Sequence, residues 1–502
     1  MTVGIDIGGT NTDGAIVGED ITTFKVPNEL GLGEILKRIC ERIDLKRERL
    51  VISTSLPLNL LLSRLEEYPT LTLLFPGPGL NYESYGVILK GAVNHRGDVV
   101  EELDEDQIRE VLESGKGRYK NVAIAGKFSI RNPLLELKTA KIVADYYGYE
   151  DMALSFHIPE LNYSLRINTT IVNAKIKRTV CELTKLIKRY SEDFFYYRGD
   201  GGIVPYEIAL DNPSLLYNSS PASVAIGAYY LTGEKNALVI DIGGTTTDFV
   251  QLVDGKPRIA EKVVVAGMKT LIRCVESFSI PFGGDSVVEN GKLRPKRLDK
   301  PIAFGGEFFT LTDALNCMGY EIGDYRASRE KGREIFGDAG EVERIVEDYV
   351  SMVAESVKAT DCDRVIGTGY LARYLLPMIA KKAGVSYIVP EHSEAVNAIG
   401  VAVSRISLTM YARFDTERGV AVFNGDVERF GKPFPEDEEL IEIAKERVRS
   451  EAIKHGASEE DVKDVRVLYF NSFTVVRGGV KRGKIADVVV QIEPGISVEF
   501  GK

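Results

Sequence analysis

GIDIGGTNTDGAIV, residues 4–17, returns as VIDIGGTTTDFVQL at residues 239–252. Every residue from Ile5 to Asp13 except Asn11 has an identical counterpart between Ile240 and Asp248; Asn11 is matched by Thr246. A spacing of 235 residues, Ile5 to Ile240, is far too wide for a solenoid, whose period is about 20–50 residues. The repeat predicts two large pieces, each opening with the same strand–turn–strand device. Apolar residues before and after each turn predict the strands. Gly8-Gly9 and Gly243-Gly244 permit a tight turn and the close approach of another atom. Backbone N–H groups in such a turn can converge on an anion, and Thr10 and Thr245 add hydroxyl donors. Asp6 and Asp241 sit at the ends of the first strands, facing the same place. Carboxylates beside a phosphate site hold Mg²⁺ or its waters, or orient a nucleophilic water. A lone D-x-G-G is an ordinary turn. Two such hairpins facing each other would grip one polyphosphate from both sides.

The bulk composition restricts the alternatives. At 502 residues the chain is long enough for two to four domains. It is 44% apolar and 27% charged, ordinary for a globular protein. A net charge of -11 leaves no excess of Lys and Arg to neutralise phosphates, so neither a general nucleic-acid surface nor an anionic-membrane surface is expected. No apolar run is long enough to span a bilayer. Met1 leads straight into a predicted strand without a basic, apolar leader, and a cytoplasmic location is the expectation. Cys40, Cys181, Cys274, Cys317 and Cys362 are scattered without a C-x-x-C, which predicts reduced thiols rather than disulfides or a metal cluster. His95, His157, His392 and His455 show no ligand spacing on one element. Few glutamines (Gln107, Gln251, Gln491) beside abundant Glu and Lys hint at a thermophilic source.

Between and after the hairpins, strand and helix patterns alternate, which predicts an α/β sheet with right-handed crossovers. LTLLF (71–75), NVAIAG (121–126) and DMALSF (151–156) read as strands. DEDQIREVLESG (104–115), residues 133–148 and the long stretch 166–190 read as helices, and an apolar helix is expected from Leu56. FSIPFGGDSVV (278–288) is a Gly-containing loop carrying Gly284 and Asp285; it is either a substrate or nucleotide loop or a plain turn. DRVIGTGYLARYLLPMIAKKAG (363–384) reads as a strand, a Gly367-Thr368-Gly369 turn and a helix. Residues 408–502 change character: a charged amphipathic helix (440–456) and two strands joined by a Gly-rich turn predict a small α+β appendage.

The two hairpins resemble the phosphate-1 and phosphate-2 motifs of the actin/Hsp70/sugar-kinase ATPase superfamily. Within it the chain is most similar to the hydantoinase/5-oxoprolinase group, A-subunit type. STSLPLNLLLSR (53–64), RINTTIVNAKI (166–176), GDGGIVPYEIALDNP (199–213), SSPASVAIGA (219–228) and LTDALNCMG (311–319) resemble that group's segments in the same order. The resemblance covers about residues 1–407. It departs at two places. A histidine usual before Thr54 is absent, the positions being Ile52 and Ser53, and the histidine of N-P-x-H-E is replaced by Leu135.

The resemblance implies an α/β fold of two ribonuclease H-like (actin-like ATPase) halves with a nucleotide cleft between them: residues 1–175, then 176–407, followed by the appendage 408–502. It implies an ATP-dependent enzyme that phosphorylates a cyclic amide or carbonyl oxygen, making an electrophile for ring opening or carboxylation. Asp6 and Asp241 would organise Mg²⁺ and water. Gly8, Gly9, Thr10, Thr12, Gly243, Gly244, Thr245, Thr246 and Thr247 would hold phosphates, and Gly367, Thr368 and Gly369 would lie against adenosine. Asp13 and Asp248 either cap their turns through side-chain hydrogen bonds or, with Gly284 and Asp285, meet a small-molecule substrate. A B-type partner chain or a homo-oligomer is expected. The alternatives are a sugar-type kinase of the same superfamily, an ATPase subunit that energises a partner enzyme, and a scaffold that keeps only the fold.

Overall fold

Four of the six residues of Thr2–Ile7 are apolar or glycine and all six are buried, the pattern of a strand covered on both faces. The computed structural model describes residues 1–56, 61, 69–337 and 339–501. The helix expected from Leu56 falls largely outside the described residues. The chain is a mixed α/β protein that divides into two compact units. One unit comprises residues 1–53, 218–259 and 275–403; the other comprises 54–217, 260–274 and 404–502. The ranges expected from order along the chain do not coincide with these units, because the chain passes repeatedly between them.

In the first unit, four strands lie in the order Arg49–Thr54, Thr2–Ile7, Asn11–Val17, Ile21–Pro27. The first hairpin is antiparallel with Asp6 opposite Asp13, and the next strand places Lys25 opposite Asp13. Helix Leu32–Cys40 buries Ile35, Leu36 and Ile39, and the Ile35 side chain fills the space beside Gly14. Helices Ser219–Thr232 and Val396–Val403 are also part of this unit. A methyl group on Gly4 would lie 2.1 Å from the Ala398 carbonyl oxygen, so Val396–Val403 presses directly on the first strand. The two helices touch backbone to backbone: a Cβ on Gly400 would lie 1.9 Å from the Ser223 carbonyl oxygen.

The second hairpin, Ala237–Ile242 and Thr247–Val253, repeats the register, with Asp241 opposite Asp248. Arg364–Thr368 and then Ser386–Ile388 continue its sheet in parallel, bringing Thr368 opposite Asp241. Ser277–Ile280 pairs with its other edge. Helices Leu311–Cys317, Ala339–Lys358 and Ala372–Ala383 supply Leu315, Val346, Tyr349 and Leu375 to one core with Ile240 and Phe249.

In the second unit, Met152–Leu154, Asn121–Gly126, Thr70–Phe75 and Val87–Ile88 form a parallel sheet in that order. The 25-residue helix Tyr163–Ile187 packs on it, capped by the Asn162 side chain. Its Arg166 is fully buried and donates to the carbonyls of Gly126, Lys127 and Glu160. Residues 404–502 add a five-stranded antiparallel sheet with the 13-residue strands Val465–Arg477 and Val480–Ile492, covered by helix Asp437–Lys454. Buried ion pairs from Arg96 to Asp415 and from Arg131 to Asp487 fasten this sheet to the rest of the unit. No described helix is long and apolar enough to cross a membrane.

Candidate functional site

The two Gly-Gly turns have the same geometry. The Gly8 N–H donates to the Asn11 carbonyl at 3.1 Å, and the Gly243 N–H donates to the Thr246 carbonyl at 3.0 Å. Each turn is then braced by an unrelated segment. At the first, the Asn28 amide donates to the Gly8 carbonyl at 2.9 Å, its backbone N–H donates to the Thr10 carbonyl, and Thr12 donates to its Oδ1. At the second, Gly284 N–H donates to the Gly243 carbonyl at 2.9 Å and Asp285 N–H to the Gly244 carbonyl at 2.7 Å. Phe282-Gly283-Gly284-Asp285 is thus a second layer against the turn. Gly283 is required there, since a Cβ would lie 2.5 Å from the Gly243 oxygen. Gly9 is exposed, and a Cβ on it would meet nothing within 4 Å.

The expected hydroxyls divide by position. Thr10, Thr245 and Thr246 lie on the turns and keep some exposure. Thr12 and Thr247 are buried on the second strands. The Thr247 hydroxyl bonds to the Phe282 carbonyl at 2.8 Å and to the Tyr349 hydroxyl at 2.6 Å, so it secures the hairpin to the core.

The acids differ between the hairpins. Asp6 is 1% exposed. Its Oδ2 accepts from Asn397 Nδ2 at 2.8 Å and from the Ser220 hydroxyl at 3.3 Å, while its buried Oδ1 has no hydrogen-bond partner. Asn397 Nδ2 also reaches Asp13 Oδ2 at 3.3 Å, and Lys25 Nζ reaches Asp13 Oδ1 at 2.8 Å. Burial, reinforced by the Asp13 charge, raises the Asp6 carboxyl above the usual range. Asp241 Oδ1 accepts from the Thr368 hydroxyl at 2.7 Å. Burial, reinforced by the Asp248 carboxylate, pushes Asp241 up to about 7. Asp248 accepts from the Thr246 and Ser279 hydroxyls, a local bracing of its own turn, and burial raises it too. Asp13 and Lys25 both act electrostatically on Asp241, so the charges of the first hairpin are felt at the second.

Glycines 367 and 369 have packing explanations. A Cβ on Gly367 would strike Leu376 at 2.7 Å, and one on Gly369, at φ +86°, would lie 2.3 Å from the Ile242 carbonyl oxygen. Gly284 makes room for Leu371, and Asp285 lies over Gly244 in an ion pair with Arg297 at 2.8 Å. At the missing-histidine positions, Ile52 and Leu135 are core residues, and Ser53 bonds to the Ser219 hydroxyl at 3.0 Å. The neighbouring Glu136, fully buried, is held by Gly126 N–H, Ser155 and Phe156 N–H. Sequence reasoning missed Asn28, Lys25, Ser220 and Asn397. Each is remote from the motif it serves and carries no spacing signal.

Among the described residues no group of three or more His, Cys, Asp or Glu is placed to hold a metal by itself. Mg²⁺ does not need one, because it keeps several waters and takes one or two carboxylates plus substrate phosphates. The unpartnered Oδ1 of Asp6 suits such an ion or its water.

Models of two parts of one family match the chain: the hydantoinase/oxoprolinase N-terminal region over residues 70–147 and hydantoinase/oxoprolinase over residues 166–333. The chain belongs to the hydantoinase/oxoprolinase family. An acetophenone carboxylase gamma subunit from Aromatoleum aromaticum is 23% identical over 45% of this chain and 35% of its own length. A 5-oxoprolinase from Saccharomyces cerevisiae is 26% identical over 41% of this chain and 17% of its own length. The matched stretches therefore take in about a third or less of these curated relatives. Two solved structures share the fold at 17% identity. They are a nucleotide-free acetone carboxylase (TM-score 0.69; 100% of this chain, 88% of that one) and an ATP-dependent caprolactamase from Pseudomonas jessenii (TM-score 0.64; 97% and 87%).

Proposed function

We propose that this family member binds ATP between the two Gly-Gly hairpins and uses it to activate a cyclic amide or a related carbonyl compound. The observation that carries this reading is the pair of turns closed by the same glycine N–H hydrogen bond, one beside the buried Asp6 and one beside the half-buried Asp241, set in one unit where the charges around one hairpin act on the acid of the other. The two sheets headed by the hairpins are taken as actin-like halves and the space between the hairpins as the nucleotide cleft. The backbone of Gly9-Thr10 and Gly244-Thr245 and the hydroxyls of Thr10 and Thr245 face the polyphosphate, while the Gly8 and Gly243 N–H groups close the turns. Thr12 and Thr247 hold the strands that carry them.

Phosphoryl transfer asks for positioning and charge neutralisation more than covalent chemistry from the protein. The substrate's carbonyl oxygen attacks the γ-phosphorus, the bond to the β–γ bridging oxygen breaks, and ADP leaves. The resulting O-phosphorylated carbon is open to a nucleophile. Water adds to that carbon, the ring C–N bond breaks with the nitrogen leaving as an amine, and the acyl phosphate that remains is hydrolysed to a carboxylate and inorganic phosphate, so the outcome is ring opening. Asp241, with a carboxyl that titrates near neutral pH, is suited to take the proton from that water. Asp6, with its open Oδ1, would hold Mg²⁺ or its waters, and the ion would supply charge neutralisation at the phosphates.

A second reading, an ATPase subunit that works with a partner chain, is favoured by the relative named as a gamma subunit. Both are tested by measuring ADP and phosphate release with hydantoins, 5-oxoproline, caprolactam and sugars, using Asp6→Ala and Asp241→Ala as controls. Substrate-stimulated release that either alanine abolishes, with the fold retained, supports the first reading. Release that no small molecule stimulates favours the second, and a phosphorylated sugar as product would replace both with a kinase. Absence of nucleotide binding in calorimetry would refute all of them.

A further inference from the structure

The acids around the two hairpins pose an electrostatic problem for an ATP site. Asp6, Asp13, Asp241, Asp248 and Asp285 all lie on or against the turns that would receive a polyanion. Among the described residues, the cations that hydrogen-bond to these five acids are Lys25, on Asp13, and Arg297, on Asp285. They are not equivalent. Arg297 is held through Nε to a carboxylate on the second hairpin's outer loop. Lys25 stands on the strand beside the first hairpin, opposite Asp13, yet its charge also acts on Asp241 and on Asp285. One ammonium therefore addresses both sides of the space where the phosphates would lie. Its side chain is 41% exposed, while that of Asp13 is 10% exposed. The acid is fixed, and the base is a point charge on a flexible four-carbon stem that can turn to another partner. Asp13 has a second donor in Asn397, which also holds Asp6, so it keeps a hydrogen bond when Lys25 departs.

We propose that Lys25 is the cationic contact of the terminal phosphate of ATP and that it reaches this contact by releasing Asp13. The Lys25–Asp13 pair is then a latch that reads which nucleotide is present: ATP opens it and ADP leaves it closed. This rests on the ATP reading given above. Its consequence is specificity, because the affinity for ATP includes a contact that ADP lacks. A charge-assisted contact of this kind is typically worth a factor of about ten or more.

The test is calorimetric titration of the full chain with ATP and with ADP, in excess Mg²⁺, for wild type, Lys25→Met, Lys25→Arg, Asp13→Asn and the Lys25→Met/Asp13→Asn double variant. Lys25→Met should weaken ATP at least tenfold and ADP less than threefold, and Lys25→Arg should recover part of the ATP affinity. Asp13→Asn should tighten ATP, and the gain should shrink below twofold in the Lys25→Met background. Equal loss of ATP and ADP in Lys25→Met, or no loss of either, overturns the proposal while leaving the ATP site standing. An equal gain from Asp13→Asn in both backgrounds overturns the latch. Wild type that binds neither nucleotide removes the ATP reading itself and this proposal with it.

Discussion

Asp241→Asn should stabilise the nucleotide-free protein and abolish its turnover. The carboxyl moves from an ordinary value of 3.8 to about 7 in the folded chain, first through burial and then through the facing Asp248 carboxylate. The sign follows from proton counts. Below about pH 4 both folded and unfolded chains hold the proton, and the group is neutral to stability. Between about 4 and 7 the unfolded chain loses the proton and the folded chain keeps it, so stability falls as pH rises; above 7 the whole penalty is present. Three pKa units at 1.36 kcal/mol each set an upper bound of about 4 kcal/mol. Asparagine keeps the oxygen that accepts the Thr368 hydroxyl at 2.7 Å and removes only the charge. A unit of about 220 residues shifts by about 2–4 °C per kcal/mol, so the bound corresponds to roughly 10 °C at pH 8. By pH 5.5 the gain should fall to roughly half. Thermal unfolding of wild type and variant at several pH values, without nucleotide, measures both numbers. A variant less stable than wild type at pH 8, or a gain that does not change with pH, refutes the account of why Asp241 is perturbed.

Three further variants separate architecture from ligand contact. Gly9→Ala places a methyl group in open space, so urea unfolding should stay within about 0.5 kcal/mol of wild type while calorimetry shows weakened ATP binding; unchanged affinity would remove Gly9 from the phosphate site. Gly283→Ala drives a methyl group against the Gly243 and Gly244 carbonyl oxygens at 2.5 and 2.6 Å. It should cost about 1–3 kcal/mol in the same urea measurement and also lower ATP affinity, because it lifts the loop that braces the second turn. Arg166→Met strips three carbonyls of their donor and removes the positive charge that acts on the buried Glu136. A loss of about 3–5 kcal/mol is expected, visible as a lowered Tm or as insoluble protein, and a Tm equal to wild type would show that water replaces the guanidinium.

The repeat at Ile5 and Ile240 was legible because a strand–turn–strand that must bring a backbone close to another atom leaves glycines and acids at fixed spacing, and the structure gives both copies one register. The long helix Tyr163–Ile187 and the paired strands Val465–Arg477 and Val480–Ile492 were legible from periodicity over many residues. The braces were not. Asn28 and the Gly283–Asp285 loop do the same work at the two turns, yet they share no sequence and sit at different distances from the motifs they brace. The interleaving of the two units was equally hidden. It depends on contacts such as that of Val396–Val403 with Thr2–Ile7, which bring together the two ends of one unit's sequence. At glycines 367 and 369 the G-x-G pattern has a structural use that the sequence did not show: each missing side chain makes room for another part of the protein.

The duplicated motif nevertheless ends in two chemically different acids. The Asp6 carboxylate receives an amide donor and a hydroxyl on Oδ2 and nothing on Oδ1. Asn397 Nδ2 can only donate, so it supports the carboxylate form against the burial and the Asp13 charge that raise this group, and Oδ1 is left for a cation or a water. Asp241 is held by the hydroxyl of Thr368, which can turn to donate or accept, and a hydroxyl partner tolerates both protonation states. It also faces Asp248, whose charge favours the protonated form. Both acids are raised by burial and by the acid that faces them, so what separates them is their partners: donors on one oxygen and an open oxygen at Asp6, and a hydroxyl that fits either protonation state at Asp241. The two can be told apart by replacement: Asp6→Asn should abolish Mg²⁺-dependent tightening of ATP in calorimetry, whereas Asp241→Asn should keep that tightening and lose turnover. Loss of the Mg²⁺ effect in both variants to the same extent would mean that the hairpins share one role, and the division argued from their donors would fail.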